Sequence, residues 1–124
     1  TIILDYFVYI NLLVSLTILN VWLLRFNNKT QYRGGDANNL KEEFNVYGLP
    51  TWFMYVVGTI KVILAILLIV GIWEREINIY VVSAMILLML GALLMHIKVN
   101  DPIKKSLPAF SILLLLLFIL FNHL

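Results

Sequence analysis

Four long apolar segments alternate with polar connections along the chain, and their lengths predict four membrane-spanning helices. The segments cover about residues 2–24, 50–72, 77–97 and 108–122. A helix needs about 20 mostly apolar residues to cross the hydrocarbon core of a bilayer, and the first three segments reach that length. The last is shorter and nearly pure Leu, Ile and Phe, so we expect it to face lipid and to thin the bilayer locally.

The one long polar stretch, between the first two spans, carries a short amphipathic pattern. Leu40, Phe44 and Tyr47 recur at spacings of four and three residues, which places them on one face of a helix. We expect this helix to lie on the membrane surface, with Asp36 as its N-cap. The predicted fold class is therefore all-α: a polytopic membrane protein with a four-transmembrane-helix bundle and a short interfacial helix between spans one and two.

The composition is typical of a membrane protein and argues against several kinds of functional site. Hydrophobic residues make up 62% of the 124 residues and charged residues 13%, against about 45–50% and 25% in soluble domains. There is no Cys, which excludes disulfides and Cys-ligated metals. The net charge of +2 is too small to indicate a nucleic-acid partner. No metal site is expected, because His96 and His123 are predicted at opposite faces of the membrane.

The basic residues are concentrated in two of the three connections. The first connection carries Arg25, Lys29, Arg33 and Lys41, the third carries Lys98, Lys104 and Lys105, and the second has only Arg75. By the positive-inside rule, the two basic connections are cytoplasmic and both termini are extracytoplasmic. The expected location is the bacterial cytoplasmic (inner) membrane, with the lipid bilayer as a partner.

Lys61 is the only charged residue inside the second span. A Lys at the bilayer centre costs roughly 2.5–3.5 kcal/mol on insertion scales, so the amine must face protein or water, snorkel, or lose its proton. Two interpretations follow. Lys61 is either a ligand or proton site inside the bundle, or a snorkelling side chain whose stem packs among the helices.

Five further residues are candidates for ligand or partner binding. They are Asn11 and Ser15 in the first span, Trp52 at the start of the second, His96 near the end of the third, and Asp101 in the connection that follows. We expect Asn11 and Ser15 to hydrogen-bond across to neighbouring helices. His96 is favoured near a helix C-terminus by the helix dipole, whether or not it has a function.

Asp101 also has two interpretations. Asp before Pro102 favours a turn, so the residue can simply stop a helix; alternatively, it is a counter-ion to Lys105, Arg25 or Lys61. In the third span, Gly91 is predicted to let a neighbouring helix approach closely.

An ordered set of short motifs runs from the second span to the last. It consists of Gly48-Leu49-Pro50, a charged residue at position 61, Gly71, Gly91-Ala92 with His96, Asp101-Pro102, Lys105 and Pro108-Ala109. This order resembles the DoxX-like family of small four-helix integral membrane proteins, over about residues 44–120. The resemblance implies a single membrane domain over residues 1–124. It also implies structural roles for Gly48, Leu49, Pro50, Gly91, Pro102 and Pro108. The end of the first span departs from the family's frequent Gly-x-x-Lys pattern.

The resemblance implies more than one function. One branch of the family is similar to the small membrane subunit of a thiosulfate:quinone oxidoreductase. Another is linked to membrane redox defence alongside soluble thiol proteins. A distant animal relative resembles an assembly chaperone for nicotinic receptors.

We predict a DoxX-like accessory or assembly subunit without catalysis of its own, which binds another membrane protein or a second copy of itself. The first alternative is the membrane subunit of a quinone-linked oxidoreductase, which needs an apolar cleft near Lys61, His96 and Trp52. The second is a small-molecule or proton transporter, which needs a water-lined route past Lys61, Asn11 and Ser15. No cofactor is predicted apart from the quinone of the first alternative.

Overall fold

The structure, a computed structural model, describes residues 2–28 and 30–123, with the side chains of residues 2–5, 75 and 123 outside the description. The expectation that His123 lies far from His96 therefore concerns a side chain outside the described residues. The helices are α1 (Ile2–Leu19), α2 (Leu40–Val46), α3 (Thr51–Val70), α4 (Arg75–Lys98) and α5 (Ile103–His123), and α1 continues into a π-helical turn at Asn20–Leu24.

Four of these helices are long and apolar enough to cross a bilayer. The candidate spans are Tyr6–Leu24, Thr51–Val70, Glu76–Lys98 and Ile103–Asn122. They confirm the predicted all-α polytopic bundle, and α2 is the short helix predicted between the first two spans. The last span begins at Ile103 rather than at Pro108, because the helix accommodates Pro108 in its second turn. Its 21 residues therefore remove the expected need for a locally thinner membrane.

The four spans form a closed ring in which each packs on the next along the chain. The first, α1, packs against α3, α3 against α4, α4 against α5, and α5 returns to α1. Side chains with no exposed surface mark the centre of the bundle: Val14, Met54, Leu68, Met85 and Leu116. The last span faces outward along one side only, because Ile112, Leu116 and Ile119 are buried on its inner face.

Two residues decide where α2 begins and ends. The side chain of Asn39 accepts a hydrogen bond from the Glu42 backbone N–H, so Asn39 is the N-cap. The prediction of Asp36 as the cap is wrong, because three further residues separate Asp36 from the first helical residue, Leu40. At the other end Gly48 adopts a left-handed conformation (φ 79°), as expected of a glycine that terminates a helix.

Gly48-Leu49-Pro50 turns the chain from α2 into the membrane. The Leu49 N–H donates to the Phe44 carbonyl (2.9 Å) and the Gly48 N–H to the Asn45 carbonyl (3.0 Å). These are the two bonds of a Schellman motif. Pro50 follows as the N-cap of α3, with extended backbone. The motif therefore fixes the angle between α2 and α3, and the apolar residues Leu40, Phe44 and Tyr47 are buried against the bundle.

Candidate functional site

A cavity of about 770 Å³ lies inside the bundle, in the half closed by the first and third connections. All four spans and α2 contribute to its wall. Much of that wall is apolar, including Ile18, Val57, Leu88, Met89, Ala109 and Ile112. The charged and titratable side chains on it are Arg25, Tyr32, Arg33, Glu43, Tyr47, Lys61, His96 and Lys105. Its volume lies within the range of small-molecule sites, which is about 300–1,000 Å³.

Small and irregular elements leave this space open. A Cβ atom at Gly91 would meet no heavy atom within 4 Å, and Ala92 and Ala109 line the same space. Across the bundle, α1 ends in a π-helical turn, closed by the bond from Arg25 N–H to the Asn20 carbonyl (2.8 Å). Such turns occur frequently at functional sites. The prediction that Gly91 lets a neighbouring helix approach closely is wrong, because no heavy atom lies within 4 Å of a Cβ atom at Gly91; Gly91 instead lines the cavity.

Lys61 projects from α3 into the bundle rather than into lipid. Its side chain lines the cavity, the residue is 9% exposed, and Nζ lies 5.3 Å from the centroid of the Trp22 ring. Among the described residues, Nζ takes part in neither salt bridge and donates no hydrogen bond. A desolvated cation–π contact is worth about 2 kcal/mol, which offsets much of the roughly 2.5–3.5 kcal/mol insertion cost. The amine still retains its hydrogen-bond donors for a group in the cavity.

Trp22 is held in place by α3, by α2 and by Phe26 of the first connection. A Cβ atom at Gly58 would lie 2.7 Å from two carbon atoms of the indole, so the ring rests directly on the α3 backbone. Phe26 lies 6.4 Å away between ring centroids, and Phe44 of α2 meets the indole edge-on at 6.0 Å. The sequence analysis did not identify Trp22 as a site residue. The feature of the sequence that could have indicated it is that Trp22 lies on the same face of the first helix as Ser15.

His96 and Asp101 form a buried pair at the end of α4. Nδ1 of His96 lies 2.8 Å from Oδ2 of Asp101, and the two side chains are 7% and 4% exposed. Asn100 adopts a left-handed conformation (φ 57°), and the Asp101 N–H donates to the His96 carbonyl (3.0 Å). This second Schellman-type turn folds Asp101 back over the last turn of the helix. Asp101 therefore lies in the turn that ends α4, as its first interpretation expected, and its carboxylate pairs with His96 rather than with the alternative counter-ions Lys105, Arg25 or Lys61.

The same carboxylate ties the first connection to the third. Oδ1 of Asp101 accepts a hydrogen bond from the Gly35 N–H (2.9 Å), and Lys105 donates to the Gly35 carbonyl. Lys98 donates to the Tyr47 carbonyl (2.7 Å). Lys98 and Lys105, which flank the third connection, therefore bind backbone carbonyls of the segment between the first and second spans.

Arg33 fixes the first connection from within. It is 5% exposed, and its guanidinium donates to the Arg25 carbonyl (2.7 Å) and to the Asn28 carbonyl (3.1 and 3.3 Å). Nη1 also lies 3.2 Å from Oε2 of Glu43, in α2. From the sequence, Arg33 is only one of several basic residues in the first connection. Nothing in the local pattern distinguishes it from Lys41, which is exposed.

Tyr47 connects this ion pair to His96. Its hydroxyl donates to Oε1 of Glu43 (2.7 Å), and its ring meets the His96 ring edge-on at 5.9 Å. Burial, followed by the charge of Glu43, raises the pKa of Tyr47 far above its usual range. The hydroxyl therefore remains a neutral donor, and Glu43 is occupied by Tyr47 and Arg33 together.

Sequence comparison identifies the family to which this arrangement belongs. A family model described as the DoxX-like family matches residues 33–120, more than two thirds of the chain. The chain belongs to the DoxX-like family. Comparison with curated proteins and with solved structures gives no match. In this DoxX-like protein, the matched range contains Lys61, His96 and Asp101, whereas Trp22 and the rest of α1 precede it.

Two candidate residues of the DoxX-like protein, Asn11 and Ser15, lie outside the cavity. Nδ2 of Asn11 donates to the Leu68 carbonyl and to Oδ1 of Asn78 (both 2.8 Å), and Ser15 donates to the Ala65 carbonyl (2.7 Å). Both residues have no exposed surface. These bonds confirm that Asn11 and Ser15 hydrogen-bond across to neighbouring helices. Asn78, the partner of Asn11 on α4, was not identified from sequence.

The remaining candidate, Trp52, lies on the outside of the bundle. It is 66% exposed and stacks edge-on against Phe53 (5.9 Å), and Phe53 is the residue that reaches the cavity. Of the six candidates, the structure brings Lys61 and His96 to one cavity wall, with Asp101 directly behind His96.

Proposed function

We propose that this DoxX-like protein is an accessory membrane subunit that binds a quinone-class ligand in its cavity. The observation that carries the proposal is the Lys61 amine. It stands over an aromatic ring in a largely apolar, membrane-embedded cavity and has no hydrogen-bond acceptor among the described residues.

The chemistry of a quinone matches this environment. A quinone has a flat ring and an apolar tail, and its polar groups are carbonyl acceptors. Lys61 supplies donors only, while Trp22 and Phe53 supply aromatic surface. Leu87 lines the cavity and is 70% exposed on the outer surface of α4, so the cavity reaches the surface that faces lipid. A lipophilic ligand can therefore enter from the bilayer.

An accessory role is favoured over catalysis because the carboxylate on the cavity wall, Glu43, already has partners. Glu43 is the only carboxylate on the described cavity wall, and it is engaged by both Arg33 and Tyr47. A transport route receives no support, because Asn11 and Ser15 are fully buried and lie apart from the cavity.

Fluorescence of Trp22 tests the ligand. Trp52 and Trp73 are exposed, so replacing both by Phe leaves Trp22 as the single emitter and should preserve the fold. We expect titration of the purified protein, in mild detergent, with a short-chain ubiquinone to quench Trp22 saturably. A quench that grows linearly, as in detergent without a site, would contradict the proposal.

Lys61→Met in the same background separates a ligand contact from a purely structural amine. Met keeps the length and the apolar stem but has no donor, so affinity should fall roughly tenfold or more, as expected for loss of a hydrogen bond to a charged group. Lys104→Met is the matched control, because Lys104 is exposed and is not among the residues lining the cavity. Equal affinity in the Lys61 variant and the control would leave Lys61 a structural residue.

The accessory role has its own test. Gentle extraction from the native membrane should co-purify a larger membrane protein, or yield a homo-oligomer, as cross-linking and mass spectrometry will show. Recovery of a lone monomer would count against this part of the proposal and would leave the ligand unaffected.

A further inference from the structure

His96 has one ring nitrogen engaged and the other available. Nδ1 faces Oδ2 of Asp101 at 2.8 Å, and this is the only hydrogen bond of the His96 ring among the described residues. His96 lines the cavity, whereas Asp101 does not. The pair therefore has its carboxylate on the side of the connections and its imidazole on the side of the ligand.

The carboxylate determines which nitrogen holds the proton. Oδ1 of Asp101 accepts the Gly35 N–H, and Oδ2 is left to accept from Nδ1 of His96. A neutral imidazole in this position carries its proton on Nδ1, so that Nε2 is an acceptor. A protonated imidazole carries both protons, so that Nε2 is a donor.

Quinone and quinol differ in this respect. The oxidised ligand presents carbonyl acceptors, and the reduced ligand presents hydroxyl donors. We propose that His96 makes the cavity selective for the redox state of its ligand: the imidazolium binds the quinone, and the neutral imidazole, oriented by Asp101, binds the quinol. This inference rests on the proposed function and adds that His96 distinguishes the oxidised from the reduced ligand.

Several charged or titratable groups surround His96, and the test must separate their effects. They are Asp101 in the following turn, Tyr47 from α2, Lys61 from α3, Lys105 from α5, Arg25 after α1, and the Arg33–Glu43 pair. His is the side chain that ordinarily changes charge between pH 5 and 8. In a His96→Gln variant every other group is retained, so any pH dependence that they produce persists there.

The experiment compares the two ligand forms at two pH values. Purified protein is titrated anaerobically with a short-chain ubiquinone and with its quinol, and the dissociation constants are taken from the rise in the thermal unfolding midpoint. We expect the ratio of the two affinities to shift roughly tenfold toward the quinol between a pH at which nitrogen-15 spectra show His96 charged and one at which they show it neutral, because the ring nitrogen changes from donor to acceptor. The ratio should be independent of pH in His96→Gln. Lys104→Met, at an exposed residue that does not line the cavity, should behave as wild type.

The outcomes distinguish this inference from the proposed function. If neither form binds, the proposed function fails. If both bind with a ratio that does not change with pH, or if His96→Gln retains the wild-type dependence, the role of His96 is overturned while the quinone site stands.

A measurement on the unaltered side chain guards against a misfolded variant. Nitrogen-15 spectra of histidine-labelled protein contain only two His residues, and a His123→Gln variant assigns them. The spectrum of the neutral His96 ring should show the proton on Nδ1. A proton on Nε2 would overturn the inference.

Discussion

Two glycines in this bundle have opposite surroundings, and replacing each with Ala tests the cavity at the level of single atoms. A Cβ at Gly91 meets nothing within 4 Å, whereas a Cβ at Gly58 would lie 2.7 Å from the Trp22 ring. We expect Gly91→Ala to stabilise the protein by about 0.5–1 kcal/mol through the lower entropy of Ala in a helix. Gly58→Ala should destabilise it by about 1–3 kcal/mol through overpacking. Thermal unfolding in detergent measures both.

The two variants are controls for each other, because each adds one methyl group to a membrane-spanning helix. A Gly58→Ala protein as stable as wild type would show that Trp22 does not rest on α3. The Lys61–Trp22 geometry would then lose its basis.

Single residues were predictable where their signal is local. Lys61 could be identified because a charge inside an apolar run is visible without any structure, and Asn11 and Ser15 because polar residues at mid-depth need partners. Trp22 and Arg33 could not, because their roles depend on Gly58 and Glu43, which lie 36 and 10 residues away. The local sequence does not distinguish a Trp that is exposed at the end of a span from a Trp that packs over a buried amine.

At the level of elements, the turn after α4 positions the His96–Asp101 pair, and Asn100 makes that turn. Its φ of 57° is unfavourable for residues with a Cβ, apart from Asn and Asp. We expect Asn100→Ala to destabilise the protein by about 1 kcal/mol, whereas Asn100→Gly should be neutral or slightly stabilising. Chemical unfolding of the two variants checks this. Equal loss in both would mean that the Asn side chain, and not the backbone, is what matters.

The first connection depends on Arg33 in the same way. Arg33→Met removes the ties to two backbone carbonyls and leaves Glu43 with only the Tyr47 hydroxyl. Because breaking a buried ion pair typically costs about 3–5 kcal/mol, the connection should open and be cleaved several times faster by proteinase K. Lys41→Met is the control, since Lys41 is an exposed basic residue of α2. Wild-type cleavage in the Arg33 variant would show that Arg33 does not hold the connection.

The helices could be largely predicted, because each is indicated by the length of an apolar segment or by the spacing of apolar residues. An apolar run of about 20 residues is sufficient to indicate a span, and the spacing of Leu40, Phe44 and Tyr47 was sufficient for α2. The residues at which the helices begin and end were harder to predict. Asn39 replaced Asp36 as a cap, and Pro108 lies within α5 rather than at its start, because a cap and a tolerated proline are decided by backbone geometry that composition does not encode.

At the level of the whole molecule, the cavity is a property that no single helix possesses. It exists where α1 widens into a π-helical turn and where α4 presents Gly91 and Ala92 to the interior. Sequence analysis interpreted small residues as sites of close helix contact, which is their commoner use in membranes. Only the relative positions of the four spans show that no neighbour fills this space.

Filling the cavity tests the molecule as a whole. Gly91 lines the cavity one turn after the exposed Leu87, and a Cβ atom there would meet nothing within 4 Å. Gly91→Phe should therefore leave the unfolding midpoint unchanged or higher and place its ring across the side of the cavity that opens at Leu87, so that saturable quenching of Trp22 by the short-chain ubiquinone is lost. Leu94→Phe is the matched control on the same helix, because Leu94 is 60% exposed on the outer face and its replacement should leave binding as in wild type. If the filled protein bound the quinone with wild-type affinity, the ligand would have to occupy a different surface, and the cavity, with Lys61 and His96 on its wall, would no longer account for any binding.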